Sequence, residues 1–238
     1  MKVLGMSPLD KDSTVSLMED GRMLYAAAEE RFTRVKLQDG FPWRALCPPS
    51  RSVFSPFRRS PKMTQHVSDI LTARLALVAI TPETLECEQL ANGQLGTITS
   101  ATIPDHWPPE HWEPHVFELL LTRFAADPSE VGWHRYIALR NPDGSRTLIG
   151  SLGGFRKDEK PGECEVGYSL LPQFRGHGYA TEGLQGYLAW ALSHPSINAI
   201  TANTFPSLPK SIRVMEKCGL RFVGPGEEEG TVLYRWQR

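Results

Sequence analysis

The sequence predicts an α+β domain built on one mixed sheet, preceded by a small all-β piece. Three observations carry this. From about residue 70 onward, short runs with strand patterning alternate with runs at helical spacing. A Gly-rich turn at residues 173–178 sits between a strand and a well-patterned helix. Residues 1–47, by contrast, read as strands and a hairpin with no helix of their own. At 238 residues the chain has room for one sizeable domain and an appendage.

In chain order, the appendage reads as strands over Lys2 to Ser7, Thr14 to Met18 and Met23 to Ala28, the last two joined by a tight turn at Asp20-Gly21. Residues 48–66 carry four prolines and no acidic residue, which is linker composition. The main domain is expected over 67–238. It opens with a strand over Thr72 to Ile80. A helix follows, started by Thr81 as cap and Pro82 at its first position. A Pro/Trp/His-rich loop spans Ile103 to Pro114, and an amphipathic helix lies near Val116 to Ala126. Strands follow near Tyr136 to Arg140, Thr147 to Phe155 and Glu163 to Leu171. After the Gly-rich turn, Ala180 to Ser193 places Leu184, Leu188 and Leu192 on one helical stripe. A strand over Ile197 to Thr204, a helix over Pro209 to Lys217 and strands at Arg221 to Val223 and Thr231 to Trp236 complete the chain.

Composition narrows the function classes. The formal net charge is -1, so no global field favours nucleic acid or an anionic membrane as partner. No apolar run reaches bilayer-spanning length, and nothing reads as an export signal. The four cysteines, Cys47, Cys87, Cys164 and Cys218, lack the paired spacing of a zinc or dithiol site. Reduced thiols, a cytoplasmic location and no metal are the expectation.

The stretch from Glu163 to Glu182 carries the chemistry. Glycines at Gly176 and Gly178 let backbone approach an anion closely, and the unpaired amides at a helix start point toward it, aided by the helix dipole. A diphosphate suits such a turn. The turn lacks the Lys-Ser/Thr ending of a P-loop and the spacing of a dinucleotide motif, so physics alone leaves the nucleotide unspecified.

Gln173, Gly176 and Gly178 resemble the Q/R-x-x-G-x-G/A coenzyme A signature of the GNAT acetyltransferase superfamily. The segments Glu165-Val166-Gly167-Tyr168, Gly178-Tyr179-Ala180-Thr181-Glu182 and Glu216-Lys217-Cys218-Gly219-Leu220 resemble its RimJ/RimL branch, which acetylates ribosomal-protein amino termini and other amines. The resemblance spans nearly all of residues 70–238. It implies the GNAT fold, a mixed, splayed central sheet flanked by helices, and acetyl-CoA as cosubstrate. It further implies that the backbone of Ser169, Leu170 and Leu171 pairs with the pantetheine arm. Gln173 and the turn residues Arg175, Gly176, His177, Gly178, Tyr179, Ala180 and Thr181 would then hold the diphosphate, and backbone near Leu170 would face the thioester oxygen.

Attack on a thioester needs a neutral amine and therefore a base. Glu165 shares a strand face with Glu163 and matches by register the position where several GNAT enzymes carry a basic glutamate, and burial beside Glu163 would strengthen it. An ordinary strand glutamate paired to a lysine or arginine is the plainer reading. Many family members carry Asn, then Ala or Ser, then a proton-donating Tyr, where this chain has Leu208, Ser211 and Met215. The phenol is missing. Ser211 matches a serine assigned the donor role in the RimL branch, although a serine near a helix start is commonly a cap. Those departures give weight to the alternative of a non-catalytic acyl-CoA binding or sensing module.

Three histidines, His106, His111 and His115, fall in the Pro-rich stretch from Pro104 to His115, but the prolines prevent one helix face from presenting them to a metal. That loop is expected to border the acceptor, with Trp107 as a wall and Glu163 beside it. His134 is expected to be structural and Cys218 an inert buried thiol. Residues 1–46 resemble the start of the O-carbamoyltransferase family, through Val3-Leu4-Gly5, Asp12-Ser13, Asp20-Gly21-Arg22 and the run Ala26 to Arg34. The hundreds of further residues that family needs are absent, which argues against carbamoyl transfer. The sequence reading is acetyl transfer to a primary amine, either a protein amino terminus or a small molecule, with a homodimer among the assemblies the chain allows.

Overall fold

The computed structural model describes the backbone of residues 2–7, 14–19 and 22–28, and residues 67–237 apart from 91, 92, 111, 113 and 158, with backbone alone for 114 and 115. The Asp12-Ser13 and Asp20-Gly21 turns, residues 29–34, the 48–66 linker, Cys47 and His111 lie outside the described residues. The chain divides into two units, Met1–Gln65 and His66–Arg238.

In the first unit, β1 (Lys2–Ser7), β2 (Thr14–Glu19) and β3 (Arg22–Ala28) form an antiparallel sheet in that order. The β1–β2 register runs from Lys2↔Glu19 to Ser7↔Thr14, and the β2–β3 register shifts between Leu17 and Met18.

The second unit is a sheet of eight strands ordered β10-β11-β9-β8-β7-β6-β5-β4. Its strands are β4 (Ile70–Leu71), β5 (Leu75–Ala79), β6 (His134–Arg140), β7 (Arg146–Arg156), β8 (Glu163–Leu170), β9 (Ala199–Thr204), β10 (Arg221–Pro225) and β11 (Val232–Gln237). Every neighbouring pair is antiparallel except β8–β9, so the sheet is mixed. This is the GNAT fold that the sequence predicts. The strand expected from Thr72 instead starts at Leu75, because Thr72 folds the chain into a hairpin: its N–H donates to the Leu75 carbonyl (3.0 Å), and its hydroxyl accepts from the Leu75 N–H (3.0 Å).

Alternation along the strands sends side chains to two apolar layers. On one face Leu75, Leu77, Ile137, Ile149 and Leu152 pack with Leu184, Tyr187 and Leu188 of α4 (Tyr179–Ala191) and Met215 of α5 (Pro209–Lys217). On the other, Ala76, Tyr136, Ala138 and Leu148 meet Leu85 of α1 (Pro82–Gln89), Leu95 of α2 (Gln94–Thr99), and Phe117, Leu120 and Phe124 of α3 (Pro114–Ala126). The α1 start follows its sequence signals: the Thr81 hydroxyl accepts from the Thr84 N–H, and the Thr84 hydroxyl accepts from the Thr81 N–H, a reciprocal cap with Pro82 inside it.

Candidate active site

The β8–β9 ladder is where the sheet opens. Its register holds only Glu163↔Ala199, Cys164↔Ile200 and Glu165↔Thr201, after which the two strands part. The pairing of β8 with β7 decides which backbone groups face the gap. Lys157 donates to the Glu163 carbonyl (3.1 Å) and Leu171 donates to Ile149 (2.9 Å), so odd-numbered residues bond to β7. Even-numbered residues turn their N–H and C=O the other way, leaving Tyr168 and Leu170 toward the opening. Of the three residues expected to bind the pantetheine arm, only Leu170 therefore offers its backbone there. Ser169 spends its groups on β7, and Leu171 gives its N–H to Ile149 and accepts at its carbonyl from Phe174.

Beyond β8 the chain makes one 3-10 turn, Pro172–Phe174, and enters α4 through two left-handed glycines, Gly176 (φ 84°) and Gly178 (φ 82°). A side chain at either would be strained in that conformation. Phe174 and Arg175 give their amides to Leu171 and Pro172. The amide of Arg175, expected to hold a phosphate, is thus already used by its own turn. From Gly176 to Thr181, in contrast, no backbone N–H has an acceptor among the described residues, and the next amide, that of Glu182, closes the helix on Gly178 (3.0 Å). These open amides lie at the positive end of α4, which suits the segment to cradle an anion.

A residue outside the motif braces that cradle. Arg74 Nη1 donates to the His177 carbonyl (3.1 Å), its Nε donates to Glu182 (2.7 Å), and its guanidinium lies 4.5 Å from the centre of the Tyr179 ring. Glu182 also accepts from the Thr72 hydroxyl and the Arg74 amide; burial works to raise its carboxyl, but these hydrogen bonds and the Arg74 guanidinium together hold it below the ordinary range. The His177 ring stacks on Tyr179 in the exposed turn, and the Gln173 side chain faces solvent. Arg175 reaches back, its Nε donating to the Leu170 carbonyl (2.9 Å) and its Nη2 to Glu110 (2.8 Å).

A cavity of about 490 Å³ lies at the fork, lined among others by Glu165, Tyr168, Asn203, Phe205, Ser211 and Met215. Both Glu165 oxygens are engaged: Asn203 Nδ2 donates to one (2.7 Å) and Lys157 Nζ to the other (2.6 Å). Glu163, on the same strand face, is buried and pairs with Arg235 (3.1 Å). The two carboxylates thus have separate cations, and Glu163 does not act on Glu165 as an uncompensated like charge. Lys157 continues to Glu227 (2.7 Å), whose carboxyl is held down at about 2 by hydrogen bonds from Lys157 and Lys160.

Ser211 is not a cap. The α5 cap is Leu208, which makes no side-chain cap bond. The Ser211 hydroxyl lies instead 3.1 Å from the Tyr168 phenol, which also donates to the Ser211 carbonyl (3.0 Å).

Two residues expected at the acceptor lie outside the lining of this cavity. Glu163 borders a separate depression with Arg123, Asp127, Glu130, Arg156 and Lys157. Trp107 points its indole N–H at Glu88 (2.7 Å), which also accepts from Trp112 (2.9 Å) and Tyr136 (2.5 Å). That carboxyl is raised from its ordinary value by burial, with the three hydrogen bonds opposing. The Pro-rich loop is thereby fastened to α1 and β6. His134 is structural but incompletely paired: burial lowers its pKa to about 3, keeping it neutral, while Nδ1 has no partner among the described residues. Burial raises Cys218 to about 11, so it stays a thiol.

Sequence reasoning missed Arg74, Lys157 and Tyr168. The first two meet the site only through the fold, Arg74 reaching Glu182 across 108 positions.

A sheet that forks beside an open amide cradle defines a transferase fold for acyl thioesters. The GNAT acetyltransferase domain family matches residues 74–221, and the chain belongs to that family as an acetyl-CoA-dependent acetyltransferase. Solved structures of similar fold include a Bordetella pertussis protein assigned to GnaT-family acetyltransferases, at 17% identity over 71% of this chain and 99% of that one, with a TM-score of 0.51. A Vibrio cholerae protein assigned as a ribosomal-protein-serine acetyltransferase is 14% identical over 71% of this chain and 97% of its own, with a TM-score of 0.50. An Agrobacterium tumefaciens acetyltransferase is 21% identical over 72% and 95%, with a TM-score of 0.48. No curated protein matches the chain. No helix among the described residues is long and apolar enough to cross a membrane.

Proposed function

We propose that the chain moves an acetyl group from acetyl-CoA to a primary amine by direct attack, in the manner of the RimJ/RimL branch. The observation that carries this reading is the run of unpartnered amides from Gly176 to Thr181 beside strands that part after Glu165. The amides would take the diphosphate, and the gap would admit the pantetheine arm against Tyr168 and Leu170. The Leu170 carbonyl is used by Arg175, so its N–H is the group left to meet the thioester oxygen as charge grows there.

Glu165 is the proposed base. With Lys157 and Asn203 on its two oxygens, it would receive the amine proton through water rather than by direct contact. Ser211 is the proposed hydrogen-bond donor to the leaving sulfur. The acceptor is a protein amino terminus or a small amine. Residues 1–47 are proposed to be a carbamoyltransferase-like appendage, joined by the 48–66 linker to an acetyltransferase domain over 67–238. A chain lacking residues 1–66 should retain acetyl-CoA binding.

A second reading, a non-catalytic acyl-CoA sensor, is favoured by Met215 in place of a phenol and by the double pairing of Glu165. Purified protein incubated with acetyl-CoA and a panel of peptide amino termini and small amines separates the two. Thiol release that depends on the amine is expected; tight acetyl-CoA binding with no turnover on any amine would leave the sensor.

A further inference from the structure

We propose that the phenol missing at position 215 is supplied from the opposite wall of the fork: Tyr168, acting through Ser211, is a positioning residue that stabilises the coenzyme A thiolate as it leaves. The inference rests on the acetyl-transfer reading above.

Three features of the site place these two hydroxyls together for a purpose beyond packing. Tyr168 lies on β8 past the last β8–β9 bridge, with its backbone turned to the gap, and both it and Ser211 line the cavity at the fork. The phenol oxygen is 3.0 Å from the Ser211 carbonyl and 3.1 Å from the Ser211 hydroxyl, so one residue holds the other by two atoms. Ser211 is the third residue of α5 and has no capping duty, since Leu208 occupies the cap. Its hydroxyl is therefore free to turn, at the end of the helix where the dipole favours negative charge.

The chemistry balances without an added reactant. The amine nitrogen attacks the thioester carbonyl carbon and a C–N bond forms. Collapse of the tetrahedral intermediate breaks the C–S bond, and the electron pair goes to sulfur. The Ser211 hydroxyl swings from Tyr168 to the thiolate, and the phenol turns from the Ser211 carbonyl to the Ser211 oxygen, making it a better donor. The proton shed by nitrogen travels by Glu165 and water to sulfur, giving amide and free thiol. Burial lifts the Tyr168 phenol to about 12, against a lowering effect of the Ser211 hydrogen bond, so it keeps its proton across the working range. It serves as a standing donor and is not itself consumed.

A tyrosine that merely ties β8 to α5 would make the same contacts, so the test reads the sulfur. Coenzyme A is bound to saturation on the full chain and the thiolate is titrated by its ultraviolet absorbance in wild type, Tyr168→Phe, Ser211→Ala and the double variant. The bound thiol in wild type should titrate about one pH unit lower than in either single variant. The double variant should add nothing to Ser211→Ala, because one residue works through the other. With an accepted amine, Tyr168→Phe should lower kcat about tenfold and leave KM for acetyl-CoA unchanged. Identical titrations in all four proteins, or a Tyr168→Phe variant that has lost coenzyme A binding, would overturn the assignment. A thiol depressed in wild type alone, with no amine acetylated, would remove the acetyl-transfer reading and keep the hydroxyl pair.

Discussion

Two polar clusters in this domain are built on opposite terms. Around Glu88, the indoles of Trp107 and Trp112 and the phenol of Tyr136 all donate to one half-buried carboxylate. At the start of α4, the amides from Gly176 to Thr181 have no acceptor among the described residues. A buried group without a partner is costly, so the first arrangement fixes a loop in place; an exposed array of donors is tolerable in water and gains an acceptor only from outside. The comparison separates polar groups that hold shape from those left open to solvent.

It can be broken in order of expected effect. Glu88→Ala strands three donors, two of them on the buried Trp112 and Tyr136, and should lower unfolding free energy by about 3 kcal/mol in denaturant melts, while acetyl-CoA affinity measured by calorimetry stays put. A parallel loss of affinity would show that the Glu88 cluster is part of the cofactor site. Next, Gly178→Val forces a branched side chain into a left-handed conformation among the open amides. It should weaken acetyl-CoA binding roughly 100-fold, with a fall of only several degrees in melting temperature, on the order of what the backbone strain itself costs.

The third substitution probes the fork. Glu165→Gln should reduce kcat at least tenfold and leave coenzyme A affinity nearly unchanged; full activity would move the base elsewhere. The smallest effect belongs to Arg74→Ala, which loses a half-exposed brace of the cradle without touching its amides. Acetyl-CoA affinity should fall about threefold, in keeping with a surface ion pair of modest worth.

Much of this architecture was legible in the chain. Pro209 at a first helical position, with Lys217 in the last turn, fixed α5 at both ends, and the glycine pair before Ala180 marked the turn into α4. Helix α2 left no such trace. Its sequence, Gln94 to Thr99, has Gly96 inside and two β-branched threonines, so it depends on burying Leu95 and Thr99. The active-site polar contacts were hidden for a different reason. Tyr168 meets Ser211 across 43 positions, and Asn203 meets Glu165 across 38, distances over which no local pattern speaks. Trp107 carried a misleading cue, because an aromatic in a Pro-rich loop suggests a pocket wall, whereas its indole N–H is committed to Glu88.

The alternating outlook of β8 bears on how this protein could change by insertion. Adding or losing a single residue within Glu163 to Leu170 would hand the fork the odd set of backbone groups and swing the carboxylate of Glu165 to the wrong side of the sheet. Changes of two residues keep the phase. Length variants of this strand or of the bend leading into it should therefore survive in even steps, a rule that a small library of one- and two-residue insertions can read directly.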